Sequence, residues 1–180
     1  MRILISAHPR RGTLYINKLL NLLKIKVKHE KQGRDGTVSW KHITYPETKK
    51  YDIILHQTRH PLKVISSAIM FKHFDFEYMF KFIDEPSQKN KLTYLMWTWL
   101  NWNKYIEKKA HWRYKIENIK IIFPKFCKKI GLPSSTNIPL LPPTIHSIEH
   151  PDLTWNDLYE NNKILCKKIT KLAKKYGYKT

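Results

Sequence analysis

A chain of 180 residues is long enough for one domain with a buried core and too short for two comfortable ones. With 42% hydrophobic and 13% aromatic residues it is predicted to fold, and its net charge of +20, from 34 Lys+Arg against 14 Asp+Glu, points to an anionic ligand, nucleic acid or an acidic surface. No apolar run approaches the roughly 20 residues that span a bilayer, and the N-terminal apolar run is too short for a signal peptide. Cys127 and Cys166 lack the spacing of a zinc site or a disulfide framework, so a reducing, cytoplasmic setting with no metal is expected.

Arg2 to Leu23 reads as a short buried strand, a tight basic turn and an amphipathic helix. This order aims a helix N-terminus and free backbone N–H groups at an anion. Gly12 allows close backbone approach, Thr13 stands where an N-cap is expected, and Arg10 and Arg11 add positive charge. The turn is not a Walker A loop, which needs a first Gly and a Lys after the second; here Thr13 follows Gly12 directly. An ordinary strand–helix joint with solvated arginines is the plainer reading of the same residues.

Ile25 to Lys28 alternates apolar and basic, a short second strand running into His29 and Glu30. Gly33, Asp35 and Gly36 mark a loop, and Val38 to Trp40 is predicted extended. Tyr51 to Thr58 is the next strand, broken by Arg59-His60-Pro61, with a helix starting near Pro61 on the spacing of Val64, Ile65, Ala68 and Ile69. Strands alternating with helices through short joints predict an α/β fold, a parallel sheet covered by helices.

Leu92 to Ala110 is strongly helical, and Leu95, Met96, Trp99, Trp102, Asn103 and Ile106 form one stripe, read as core. Trp112 to Ile116 is a further strand, and Asn118 is placed to cap a helix that Gly131 and Pro133 end. Residues 133–151 are proline-rich and read as a long loop. Thr154 is expected to cap a last helix, with Asp157 completing the capping box. Its lysines fit an ordinary surface helix packed on a sheet, or a membrane or nucleic-acid contact.

Arginine is scarce, and Arg10, Arg11, Arg34 and Arg59 all fall in turns after predicted strands. The planar guanidinium fork suits phosphate and sulfate oxygens, so this placement says more than total charge. No RRM, KH, zinc or helix-turn-helix pattern is present, so no specific nucleic acid is expected as a partner.

Several of these segments, in order, resemble the sulfotransferases. Ser6 to Thr13 is similar to their 5′-phosphosulfate loop, P-[KR]-S-G-T. Thr58 to Ala68 is similar to their 3′-phosphate segment, a strand-end Arg59 followed eight residues later by Ser67. Trp99, Trp102 and Asn103 with Arg113 to Ile119 resemble the stretch that follows, and His29-Glu30 with Gly33 to Gly36 resembles the second-strand exit of bacterial and viral members. Leu153-Thr154-Trp155 is a weaker match.

The resemblance implies a three-layer α/β/α fold like that of P-loop kinases. It implies 3′-phosphoadenosine-5′-phosphosulfate as donor and transfer of a sulfuryl group to a hydroxyl, with a small molecule or glycan as acceptor. By position, Arg10 takes the place of the catalytic Lys or Arg, and Pro9, Arg10, Arg11, Gly12, Thr13 and Leu14 form the 5′-phosphate loop. Arg59 and Ser67 hold the 3′-phosphate. Glu30, then His29, is the expected base, expected to meet Arg10 and Arg59 at the edge where parallel strands finish; neighbouring arginines would tend to depress the Glu30 pKa. A loop carboxylate that merely neutralises arginines is the other reading of Glu30. Leu14 and Arg11 depart from the usual hydroxyl residues of the loop, and no late Arg-Lys-Gly clamp is present. A non-catalytic descendant that still binds an anionic nucleotide or glycan, and a basic nucleic-acid-binding module, are the alternatives.

Overall fold

A computed structural model describes residues 1–10, 12–71, 75–141 and 150–180. Its strands are β1 (Ile3–Ala7), β2 (Val27–His29), β3 (Gly36–Val38), β4 (Ile53–Thr58) and β5 (Trp112–Lys115). Its α-helices are α1 (Thr13–Leu22), α2 (Pro61–Ile69), α3 (Phe76–Phe80), α4 (Lys91–Glu107), α5 (Ile119–Lys129), α6 (Trp155–Asn161) and α7 (Lys163–Lys175). The chain gathers into two compact units. A sheet unit comprises Met1–Ala7, Arg11–Thr58 and Lys109–Ser147, and a helical unit comprises His8–Arg10, Arg59–Lys108 and Ile148–Thr180.

In the sheet unit the five strands lie in the order β2-β3-β1-β4-β5, and every pairing is parallel. The α/β class with a parallel sheet is as the alternation of strands and helices predicts. Ile3, Ile5, Val38, Leu55 and Tyr114 share one face, where Ile16, Leu19 and Leu20 of α1 and Phe123 and Phe126 of α5 close over them. The first strand lies in the middle, so the sheet grows outward from β1 in both directions. That reversal is the switch point at whose strand ends ligands of open α/β sheets bind.

The β2–β3 pair has an unusual connection. Parallel neighbours ordinarily need a crossover of a dozen or more residues, yet only Glu30 to Asp35 separates these two strands. The return is possible because each strand is three residues long and the loop doubles back beside them. Gly33 N–H donates to the Gly36 carbonyl at 2.9 Å, and Asp35 N–H donates to the Lys26 carbonyl at 3.1 Å. Both glycines are required by space: a Cβ on Gly33 would stand 2.7 Å from the Lys26 carbonyl oxygen, and one on Gly36 (φ +134°) only 1.9 Å from that of Ile3. The Asp35 carboxylate accepts from Lys26 N–H at 2.7 Å and pairs with Arg34 at 2.9 Å, which holds its pKa at about 2. Asp35 is thus a turn residue tied to its own loop, and Arg34 has a counter-ion.

The helical unit has its own core, in which Val64 and Ile65 of α2, Leu95 and Trp99 of α4, Leu158 of α6 and Ile169 and Leu172 of α7 meet. The six residues of the predicted α4 stripe are all fully buried. Pro61 starts α2 as expected, and Thr154 with Asp157 forms a complete capping box at α6. The expected single last helix is divided. Asn162 adopts an extended conformation between α6 and α7 and caps α7, its side chain accepting from Leu165 N–H at 2.9 Å. None of the helices among the described residues is long and apolar enough to cross a membrane.

Candidate functional site

The helical unit holds the most concentrated set of expected site residues. Arg10 follows β1 and Arg59 follows β4, neighbouring strands in the sheet. Arg59 Nη1 donates to the backbone carbonyl of Arg10 at 3.2 Å, and Arg10 Nε donates to the Ser67 hydroxyl at 3.2 Å. Ser67 lies in the second turn of α2, buried, eight residues past Arg59. The Arg10 guanidinium also lies 4.0 Å from the centre of the Phe71 ring, a cation–π contact. Arg10 has φ +69°, an uncommon conformation for a residue with a side chain.

Among the described residues the charge at this cluster is not balanced. Burial, and then the nearby Arg59 charge, pull Arg10 below the ordinary guanidinium value. It nevertheless stays charged at any physiological pH. Among the described residues no carboxylate pairs with Arg10 or Arg59. Two neighbouring guanidinium groups with no carboxylate partner among the described residues are the kind of arrangement that an oxyanion relieves.

Pro9 and His8 precede this cluster. His8 is fully buried, its Nδ1 donating to the Pro9 carbonyl at 2.8 Å and its Nε2 lying 3.2 Å from the Thr98 hydroxyl. These contacts tie the imidazole into the helical unit.

In the sheet unit the second half of the loop begins α1. Gly12, not Thr13, is the N-cap, with φ +74°, and Thr13 is the first helical residue. The Thr13 hydroxyl lies 2.9 Å from His29 Nε2 instead of capping the helix. Gly12 supplies no side-chain cap to the first turn of α1, and first-turn N–H groups that no side chain caps are the ones that bind anions. Leu14 follows in the same turn, half-buried. Arg11 lies outside the described residues.

Glu30 leaves β2 at the same sheet edge where β1 and β4 end, because all the strands run parallel. It has φ +54°. Its carboxylate accepts from the Ser39 hydroxyl at 2.5 Å and from Trp40 N–H at 3.3 Å. His29 Nε2 is 3.8 Å from the same carboxylate. The Glu30 pKa is raised: burial outweighs the lowering by Ser39, Trp40 and Lys41. The sign is opposite to that expected from neighbouring arginines, because the loss of water around the carboxylate is the larger effect.

Two participants were not anticipated. Phe71 stands four residues beyond Ser67, just past the C-cap of α2 at Met70, so continuing the helical spacing of α2 by one turn could have found it. Ser39 carries no local signal: its place opposite Glu30 follows from the β2–β3 register, in which His29 pairs with Val38.

No protein-family model and no curated protein sequence matches the chain. Among solved structures, its fold is similar to a sulfotransferase from Alicyclobacillus acidocaldarius, with a TM-score of 0.57 and 12% identity over 99% of this chain and 96% of that one. A mouse sulfotransferase, SULT7A1, complexed with PAP, is similar at a TM-score of 0.43 and 15% identity, over 73% of this chain and 58% of that one. The first likeness shows that the chain has the fold of a sulfotransferase.

Proposed function

We propose that the protein transfers a sulfuryl group from 3′-phosphoadenosine-5′-phosphosulfate to a hydroxyl acceptor, a carbohydrate being the class suggested by the resemblance to bacterial and viral members. The observation that carries this reading is the Arg10–Arg59–Ser67 cluster: two cations without a carboxylate partner among the described residues, joined to a serine on α2. The groups fit a doubly phosphorylated nucleotide, since each guanidinium retains N–H donors beyond the one bond given above. The fold likeness supports the same assignment.

In this reading Arg59 and Ser67 bind the 3′-phosphate, the group that separates this donor from ATP. Backbone N–H groups of the Pro9 to Leu14 loop, Gly12 and Thr13 among them, hold the 5′-phosphate at the start of α1. The donor supplies an activated sulfuryl group. Arg10 stabilises the charge that builds on the bridging oxygen as the phosphate leaves. Glu30 accepts the proton of the acceptor hydroxyl, its raised pKa making it a stronger base than an exposed carboxylate. His29, beside it, is the second candidate. The two cysteines are buried free thiols, compatible with a cytoplasmic setting.

The test is a thermal-shift comparison of 3′-phosphoadenosine-5′-phosphate, ADP and ATP, followed by transfer from labelled donor. Selective stabilisation by the first is expected, because a ligand that prefers the native state raises its melting temperature. Arg10→Ala should abolish labelled product while the melting temperature of the free protein stays close to wild type. Equal stabilisation by all three nucleotides would refute the donor assignment. Donor binding without transfer to any hydroxyl acceptor would instead leave a non-catalytic nucleotide-binding protein.

A further inference from the structure

A second basic site lies within the helical unit, between α6 and α7. A cavity of about 670 Å³ opens there, with Trp155 and Tyr159 of α6 and the buried Cys166 of α7 in its wall. Lys167, Lys171 and Lys174 line it from α7. At 1.5 Å rise per residue these lysines make a stripe about 10 Å long on one helix face. The volume is that of a pocket for a small organic ligand, and an apolar wall with a few charged groups is the usual make-up of such pockets.

The wall is held in place. The Trp155 ring meets the edge of His60 at 6.0 Å, and Cys166 Sγ donates to the Trp155 carbonyl at 3.7 Å. The Lys163 ammonium stands 5.4 Å from the centre of the Tyr159 ring. The carboxylates of α6 are engaged on their own helix: Asp157 accepts from Thr154, and Glu160 accepts from Asn156 at 2.6 Å. Among the described residues none of them pairs with Lys167, Lys171 or Lys174. The apolar face of α7 (Leu165, Ile169, Leu172) is spent in the core. The lysines are therefore left to face a cavity, and α7 cannot lie in a membrane by that face.

We propose that this cavity binds a small organic anion with an aromatic or aliphatic body, its charged group on Lys167, Lys171 and Lys174 and its body against Trp155 and Tyr159. The cavity shares no lining residue with the Arg10–Arg59–Ser67 cluster. Charge complementarity selects the anion, and the aromatic wall selects a ligand with an apolar body over inorganic sulfate or phosphate.

The probe is 8-anilinonaphthalene-1-sulfonate, titrated by fluorescence on the folded chain. N-phenyl-1-naphthylamine supplies the same rings without the sulfonate. One saturable site is expected, with the neutral analogue and the K167Q/K171Q/K174Q variant each binding about tenfold or more weakly. Tyr159→Ala should weaken the probe severalfold, giving a second, single-site measure. A control with the same charge change, K120Q/K128Q/K129Q on α5, should bind as wild type does. The inference is overturned if the cavity variant and the control behave alike, or if the neutral analogue binds equally well. It is also overturned if 3′-phosphoadenosine-5′-phosphate displaces the probe, which would make the two sites one. Vesicles of anionic phospholipid distinguish the remaining source of such a ligand: lysine-dependent co-sedimentation with no saturable probe site would overturn the small-ligand form in favour of a lipid surface.

Discussion

Arg59 reaches back across 49 residues of sequence and donates a hydrogen bond to the backbone carbonyl of Arg10 at 3.2 Å. The side chain of one arginine thereby restrains the carbonyl of the other, which stands at φ +69°, a conformation that costs a non-glycine residue free energy and needs support from its surroundings. A positive φ at Arg10 and a pair of cations without a carboxylate partner among the described residues occur together here, the combination on which the proposed anion site rests.

The bond predicts that Arg59→Lys is not a conservative change. Lysine keeps the charge but loses the planar fork that can serve the Arg10 carbonyl and a phosphate at once. The dissociation constant for 3′-phosphoadenosine-5′-phosphate should rise by about 10- to 100-fold, the equivalent of one charge-assisted hydrogen bond of about 1.5–3 kcal/mol. Calorimetric titration measures it, and an unchanged constant would remove Arg59 from the nucleotide site.

Glu30 makes a prediction about pH. Its folded-state pKa is raised by burial, so the native state holds this proton more tightly than the unfolded chain does. The stability contribution is complete below the unfolded carboxylate pKa and is lost as pH rises through the higher folded value. Glu30→Gln, which cannot ionise, should therefore gain stability relative to wild type as pH rises through that window, and hold the gain above it. Urea midpoints between pH 4 and 8 give the sign; a relative loss instead would mean that the carboxylate is stabilised as the anion.

If Glu30 is the base, the rate of transfer rises with pH through the same folded-state pKa. Ser39→Ala removes a donor that favours the charged carboxylate. The midpoint of the pH–rate profile should then move further upward. A structural serine would lower stability without moving that midpoint.

Gly36 makes the parallel return between β2 and β3 possible, and its replacement should be among the most damaging in the sheet. Gly36→Ala drives a Cβ to within 1.9 Å of the Ile3 carbonyl oxygen on the central strand, at a φ that side chains rarely adopt. A loss of more than about 3 kcal/mol is expected. Gly131→Ala, also at positive φ but facing only the flexible Met1 side chain at 3.1 Å, should cost about 1 kcal/mol. Urea unfolding of the two variants side by side checks the ranking.

Much of this was legible in the amino-acid order because it is local. The strand–turn–helix at the start, the helix beginning at Pro61, the buried stripe of α4 and the capping box at Thr154 each follow from a spacing or a cap whose partners lie within a few residues. The resemblance named Arg10, Arg59 and Ser67 from their order along the chain. What only the tertiary structure decided involves partners brought together by pairing or by the exclusion of water. The pairing of His29 with Val38 sets Ser39 against Glu30, and burial there reverses the expected direction of its pKa. Thr13 gives its hydroxyl to His29, so capping falls to Gly12, and Asn162 breaks the last helix with an extended residue. Spacing along a chain reports which face a residue occupies; it carries no measure of how much water is left around a charge, or of which distant group will occupy the place of that water.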